Sequence, residues 1–143
     1  MNKKQMQMQI CKSLLDANKR LCKAKINDDE VIITIDGFSA FVFFEKECIF
    51  DLSKIPNRES LRFCALTDET YERIFVTKQR FVNGNAMIAK LENEKCIVYV
   101  DEKFIKTFDK YDLFAKGAEK PVIAKDKFGN TVGLFCAFRF HEE

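Results

Sequence analysis

Two β-forming runs around Asp36-Gly37 constrain the fold more than any other feature of this chain. Val31–Ile35 and Phe38–Phe44 consist mostly of β-branched and aromatic residues, which favour the pleated, half-buried surface of a strand. An Asp-Gly pair between two such runs is typical of a tight type I′ turn. The sequence therefore predicts a β-hairpin over residues 31–44, and with it an antiparallel sheet.

The same alternation of strands and turns continues along the rest of the chain. Asn83-Gly84-Asn85 marks a second turn between β-forming runs, and further glycine-containing turns follow. Pro56 interrupts the pattern, and a short helix is expected around 59–64. The remaining strands are predicted at 48–52, 73–82, 86–91, 97–100, 112–115, 121–125 and 131–140.

A first helix is expected over about 9–23, because apolar residues recur there at helical spacing, among them Ile10, Leu14 and Leu21. Met6 and Met8 alternate with glutamines, so a short strand before this helix remains an alternative. Basic side chains are expected on the sides of the helix away from its apolar stripe. They are Lys12, Lys19, Arg20 and Lys23.

A second, shorter helix is expected over 102–110. Asp101 precedes it, and an aspartate at that position accepts hydrogen bonds from the free amides of the first turn. Phe104 and Phe108 should face the core. The outward face is predicted to carry Lys103, Lys106 and Lys110.

These elements predict an α+β fold with one domain over residues 1–143. Its halves, about 1–72 and 73–143, are expected to repeat the order strand, helix and three strands, a duplicated βαβββ. The sheet should be mostly antiparallel and curved, with both helices packed on one face. Sequence identity between the halves is slight, so the duplication is inferred from element order.

Composition predicts an ordinary folded protein of the cytoplasm. With 47% hydrophobic and 32% charged residues, such a chain buries a core without disulfides. It contains neither an apolar run long enough for a membrane span nor the pattern of a secretion signal.

The net charge of +2 is unevenly spread along the chain. Residues 1–25 carry seven basic side chains and one acidic one, whereas residues 26–72 carry four basic and eleven acidic ones. This polarity could place the positive part near a polyanion.

Residues that commonly carry catalysis or hold cofactors are sparse. His141 is the only histidine, and no two of the six cysteines form a C-x-x-C pair, so we expect no metal site and no thiol–histidine pair. The cysteines should be reduced and mostly buried. The five glycines fit no phosphate-binding motif, and Asp28, Asp29 and Glu30 are expected to be turn residues. We therefore expect a protein that is not an enzyme and has no cofactor.

The strand, helix and three-strand pattern, used twice with lysine-faced helices, resembles one domain of the DNA sliding clamps, the ring-shaped polymerase processivity factors. The similarity is best over 97–140. There, Ile97–Phe108 looks like the strand and helix that open the last half of a clamp, and Thr131–Phe140 looks like its closing strand. Thr34-Ile35-Asp36-Gly37 is similar to a T-D-G turn of clamps.

The resemblance implies contact between the predicted basic faces and the backbone of double-stranded DNA. It also implies a pocket for partner peptides beside the closing strand, with Phe138 and Arg139 as candidates. The chain departs from the family pattern in two places: Phe38 replaces a basic residue, and Cys136-Ala137-Phe138-Arg139 lacks the usual proline. A ring needs several such domains. The resemblance therefore implies a homo-oligomer through edge strands, or a small clamp-like protein of phage or mobile-element type that no longer encircles DNA.

The expected function is that of a non-catalytic, clamp-like interaction protein that contacts the DNA backbone or replication proteins. Phosphates are recognised by charge, so spaced lysines suffice for such contact, although a solvated helix face explains them too. The alternative is a protein-binding adaptor or inhibitor from a mobile element that does not bind DNA. The fifteen phenylalanines are expected to pack in the core rather than to stack on bases, for example Phe41, Phe43, Phe44, Phe135 and Phe138.

Overall fold

The described residues form an α+β fold. The computed structural model describes residues 1–16, 20–61 and 70–142, and it places two α-helices and nine strands in these ranges. The chain divides into two compact units, Met1–Cys64 and Ala65–Glu143, which are described separately. The elements of the first unit are α1 (Lys3–Ser13), β1 (Cys22–Lys25), β2 (Glu30–Thr34) and β3 (Ser39–Phe44). Those of the second are β4 (Glu72–Asn83), β5 (Ala86–Glu92), β6 (Ile97–Asp101), α2 (Glu102–Thr107), β7 (Asp112–Ala115), β8 (Val122–Lys125) and β9 (Thr131–Phe135).

The hairpin predicted around Asp36-Gly37 is confirmed as β2 and β3, which pair antiparallel with Ile33 opposite Phe41. The type I′ turn is wrong, because Gly37 has φ +81° while no other residue of the connection has a positive φ. Instead, the Asp36 carboxylate accepts hydrogen bonds from the amides of Phe38 and Ser39, both at 2.8 Å. A side chain therefore stabilises a longer connection.

Helix α1 begins and ends earlier than predicted. Asn2 and Gln5 form a capping box, in which the Asn2 side chain accepts from the Gln5 amide and the Gln5 side chain accepts from the Asn2 amide, both at 2.8 Å. This arrangement satisfies free amides of the first turn. Met6 and Ile10 are completely buried on the inward face. The alternative of a strand before the helix is therefore wrong.

The helix predicted over about 9–23 includes residues 22 and 23, but these residues belong to the strand β1, Cys22–Lys25. Cys22 and Ala24 are buried while Lys23 and Lys25 are not, which is the alternation of a strand. Pairing of β1 with β2 places Lys23 opposite Ile33. The apolar spacing continues to Leu21, but α1 ends at Ser13 and the backbone of residues 22–25 is paired in the sheet.

The strand predicted at 48–52 is absent, because this segment lies between two single turns of 3₁₀-helix at Glu45–Glu47 and Leu52–Lys54. Gln7 of α1 fixes the segment. Its side-chain amide donates to the Glu47 carbonyl at 2.9 Å, and its side-chain oxygen accepts from the Ile49 amide at 2.8 Å. Of the helix predicted around 59–64, a 3₁₀ turn forms at Glu59–Leu61, and the rest lies outside the described residues.

The second unit contains six antiparallel strands in the order β9-β8-β7-β4-β5-β6. The strands predicted at 73–82, 86–91, 97–100, 112–115 and 121–125 are confirmed with shifts of a residue or two at their ends. The closing strand was predicted to reach Phe140, but β9 ends at Phe135. Residues 136–142, called the C-terminal tail below, leave the sheet.

Helix α2 begins as predicted and ends sooner. The Asp101 carboxylate accepts from the Lys103 amide at 3.0 Å, and the helix stops at Thr107 rather than at 110. Phe104 and Phe108 are buried, and their rings stack on Phe135 of β9 with centroids 5.4 and 5.5 Å away. This aromatic stack anchors α2 in the core of the second unit.

The element order over 97–135 is strand, helix and three strands, as the sequence predicts for the second half. In the first unit α1 is followed by three strands, but no strand precedes α1 within residues 1–16. Strands β4 and β5 lie between β6 and β7 in the sheet.

Candidate functional site

The described residues of the first predicted basic face do not share a helix, because they are spread over different elements. Lys12 lies in the last turn of α1 and is exposed, whereas Arg20 lies in the connection before β1. Lys23 lies in β1, and its ammonium group donates to the Ile55 carbonyl at 2.6 Å. Lys19 lies outside the described residues. Of the three described candidates, Lys12, Arg20 and Lys23, no two therefore share a helix face.

The second predicted basic face is partly retained. Lys103 and Lys106 are exposed on α2, and Lys110 is exposed in the turn that follows it. The Lys103 ammonium group lies 3.9 Å from an Asp101 carboxylate oxygen, which offsets part of its charge. Lys106 and Lys110 form no ion pair with any described residue. These two lysines leave a small positive surface open to solvent.

Of the two candidates beside the closing strand, Phe138 is half-buried and Arg139 is exposed. The Phe138 amide donates to the Tyr99 carbonyl of β6 at 2.6 Å. The Arg139 side chain, 86% exposed, lies 3.7 Å from Glu119. Phe138 therefore holds the C-terminal tail against a strand, whereas Arg139 points toward solvent.

The tail covers an aromatic cluster that the sequence did not predict. The Phe140 ring lies 5.0 Å from the Phe81 ring and 5.2 Å from the Tyr99 ring, measured between centroids. Phe81 and Tyr99 lie 6.0 Å apart. Strand pairing brings them together, because Phe81 pairs with Ile88 and Tyr99 pairs with Lys90, two residues along β5 on the same face.

Charged and polar groups complete the cluster at the end of the tail. The Glu142 carboxylate accepts a hydrogen bond from the Tyr99 hydroxyl and lies 3.0 Å from the Lys90 ammonium group. This hydrogen bond, with some burial, raises the pKa of Tyr99 to about 12. The Tyr99 hydroxyl and then Lys90 lower the pKa of Glu142. Tyr99 and Lys90 therefore hold the Glu142 carboxylate in its charged form.

The same face of the sheet continues beyond the tail with exposed apolar residues. Phe75 and Ile97 lie opposite Glu92 of β5, and they are 58% and 42% exposed. The Arg73 guanidinium lies 5.0 Å from the centre of the Phe75 ring. We call the side of β4–β6 that carries Phe75, Phe81, Ile97 and Tyr99 the aromatic face.

Several phenylalanines pack as the sequence predicts. Phe41, Phe43 and Phe135 are buried in the core. Phe44 is 45% exposed, and Phe138 is half-buried beside β6. The prediction of core packing is therefore wrong for Phe44 and holds only in part for Phe138.

The cysteines are less buried than predicted. The described cysteines form no disulfide; Cys22 is buried and the others are half-buried, and Cys64 lies outside the described residues. Burial, together with the carboxylates of Glu47 and Glu45, raises the pKa of Cys48 to about 11. Burial also raises the pKa of Cys22 and of Cys96. Thiols of this kind stay protonated at neutral pH and are poor nucleophiles.

Asp28 and Asp29 are turn residues, as predicted, whereas Glu30 is the first residue of β2 and pairs with Phe44. The Asn27 side chain accepts from the amides of Asp29 and Glu30, both at 2.9 Å, in the connection between β1 and β2. An open pocket lies beside this turn, and it is lined by Asp28, Asp29, Phe44, Glu45, Lys46 and Leu52. Within the three described ranges, no group of His, Cys, Asp or Glu side chains has a geometry that could hold a metal ion.

Comparisons with protein-family models, with curated proteins and with solved structures found no match to this chain. Within residues 1–16, 20–61 and 70–142, no helix is both long and apolar enough to cross a bilayer. Function is therefore inferred from the residues themselves, above all from the aromatic face and from the lysines of α2.

Proposed function

We propose that this chain is a non-catalytic interaction protein whose second unit binds a partner protein through the aromatic face. One observation carries the proposal: Phe75 and Ile97 are large, exposed apolar residues, and they continue a face on which Phe81 and Tyr99 already form an aromatic cluster. Exposed apolar patches with polar borders often mark interaction sites. Aromatic residues and arginine are also enriched at the cores of protein interfaces.

The border of this face is charged, and a polar border is common at protein interfaces. An open groove at Phe75 is lined by Glu72, Arg73, Phe75, Val76, Thr77, Glu92, Asn93 and Glu94. Glu72 pairs with Lys95 at 2.6 Å, and Arg73 pairs with Asp112 at 3.0 Å. Such exposed pairs add little affinity, but they favour partners of complementary charge.

The proposal keeps the clamp-like fold as its wider setting. The proposed fold is a duplicated βαβββ with both helices on one face of the sheet. The proposed origin is a phage or mobile element, and the proposed partners are replication proteins. The support for this setting is the strand, helix and three-strand order over 97–135. The alternative is a protein-binding adaptor or inhibitor from a mobile element that uses the same face and does not bind DNA.

The protein-binding proposal can be tested with random peptides displayed on phage and selected on the wild-type chain. Selected peptides should lose most of their affinity for a Phe75→Ser, Ile97→Ser variant, as measured by fluorescence anisotropy. Phe128→Ser is the matched control, because Phe128 is 78% exposed in the turn between β8 and β9. The proposal is wrong if no peptide is enriched, or if the double variant and the control bind the selected peptides equally well.

Contact with the DNA backbone is the second candidate, and the exposed Lys103, Lys106 and Lys110 favour it. If all three neutralise phosphates, affinity for a DNA duplex should fall roughly 40-fold between about 50 and 200 mM salt. Changing the three to Glu should abolish binding. The matched control, with the same change in net charge, replaces three exposed lysines of the first unit by Glu: Lys4, Lys46 and Lys54. Equal losses in both variants, or no binding at low salt, would exclude this candidate.

A further inference from the structure

The C-terminal tail lies on the aromatic face in the way that a bound peptide would. It has no regular secondary structure, and Phe138 holds it to β6 through the amide bond to Tyr99. Strand β6 is the last strand in the order of the second unit. An extended peptide that pairs with such an edge is a common mode of recognition, in which the backbone gives affinity and side chains give specificity.

Two side chains of the tail occupy distinct places on the face. Phe140 fills the aromatic place between Phe81 and Tyr99. Glu142 fills a polar place, where it meets Lys90 and the Tyr99 hydroxyl. The two residues are two positions apart, so an extended chain presents both on the same side.

The polar place, which is formed by Lys90 and the Tyr99 hydroxyl, favours a negatively charged group. With the tail in place, the Lys90 side chain is only 14% exposed, and a charged group that is largely removed from water is costly unless it is paired. Lys90 lies opposite Tyr99 in the register of β5 and β6, so the sheet positions both groups independently of the tail. Removing Glu142 would therefore leave a preformed site for another carboxylate.

We propose that the tail occupies, within its own chain, the site of a partner segment of the same chemistry. The partner segment is an extended peptide with an aromatic residue two positions before an Asp or Glu, and it binds once the tail has left. This inference rests on the proposed protein-binding function and names the class of its ligand. A docked tail competes at a high effective concentration. If it is docked about nine times in ten, it weakens the apparent affinity of the partner about tenfold.

The experiment compares the full-length wild-type chain with a full-length Phe140→Ala, Glu142→Gln variant in which the tail is released. The probe is a fluorescein-labelled peptide with the sequence of residues 136–142, and binding is measured by anisotropy. We expect the released variant to bind the peptide at least about tenfold more tightly than the wild type. A peptide with Gln at the position of Glu142 should bind weakly to the released variant. Adding Lys90→Met to that variant should remove the difference between the two peptides.

The outcomes separate this inference from the proposed function. Equal binding by the wild-type and released chains, or equal binding of the two peptides, would overturn the inference. If the released variant binds no tail peptide but still binds the phage-selected peptides whose affinity depends on Phe75, the inference fails and the protein-binding function stands. If it binds neither kind of peptide, both proposals fail. A wild-type dimer that the released variant cannot form would make the tail of a second copy the occupant, and would overturn the choice of a separate partner. Circular dichroism of each variant checks that it is folded.

Discussion

Replacing Gln7 by Ala should destabilise the first unit far more than an ordinary change on a helix surface. Both ends of the Gln7 amide bond to the backbone of the 45–49 segment, at 2.9 and 2.8 Å, and the residue is buried. The change leaves the Glu47 carbonyl and the Ile49 amide without these partners. Each such loss costs about 1–3 kcal/mol, and since Glu47 and Ile49, unlike Gln7, are not buried, we expect a total of about 2–3 kcal/mol.

The assay is chemical denaturation, in which the midpoint should fall while the slope stays constant. Gln9→Ala is the matched control, because Gln9 lies on the same helix with an exposed side chain. Gln7→Glu gives a sharper test, since a carboxylate cannot donate to the Glu47 carbonyl. This variant should be at least as unstable at neutral pH, and it should recover part of the loss once acid protonates the new carboxyl group. Equal midpoints for Gln7→Ala and Gln9→Ala would refute the reasoning.

Four further predictions concern the second unit and two turns. The pKa of Tyr99, raised to about 12 by its bond to Glu142, should return toward its ordinary value in Glu142→Gln, as ultraviolet absorbance of tyrosinate would record. Because the Glu142 pKa is lowered and the Tyr99 pKa is raised, the contact should stabilise the tail at neutral pH. It should be lost as pH falls through the lowered Glu142 value or rises through about 12. Gly37→Ala should lower the free energy of unfolding by about 1 kcal/mol in chemical denaturation, because the φ of Gly37 is +81°. Gly117→Ala is the control: Gly117 lies at an open position without a positive φ, so this change should be neutral or slightly stabilising. Phe135→Ala should cost about 3–5 kcal/mol in the same assay, since it removes a fully buried ring; a loss below about 1 kcal/mol would contradict the aromatic stack.

The elements that could be predicted from sequence are those whose signals are local. Turn residues flanked by β-forming runs located β2–β3 and β4–β5 correctly, because each strand finds its partner within a few residues. Asp101 also predicted the start of α2, since a cap acts within one turn. Even in the first hairpin the turn type was wrong, because the Asp36 carboxylate bonds to the Phe38 and Ser39 amides and stabilises a longer connection.

The wrong predictions fall where distant residues decide the structure. The apolar spacing of residues 9–23 suits a helix, but pairing with β2 makes 22–25 a strand. The apolar segment 48–52 looks like a strand, yet Gln7 takes the Ile49 amide. A signal that could have placed the first helix correctly was present in Asn2 and Gln5, the ends of a capping box.

The candidate site was predicted least well, because the aromatic face is created by strand register. Phe81, Tyr99 and Phe140 are far apart in sequence, and only the pairing of β4, β5 and β6 with the returning tail brings them together. The sequence pointed to Phe138 and Arg139 in the right segment. The alternation of Phe138, Phe140 and Glu142 was the signal for a one-sided extended peptide.

The covering of β1 bears on how copies of this chain can assemble. Lys23 donates its amide to the Pro56 carbonyl at 2.8 Å and accepts at its own carbonyl from the Arg58 amide at 2.7 Å. These are the outward-facing backbone groups that an added strand would need. A neighbouring molecule that added a strand to the β1 edge of the first unit would have to displace residues 56–58. Growth of fibres or rings by strand addition is therefore disfavoured at that border.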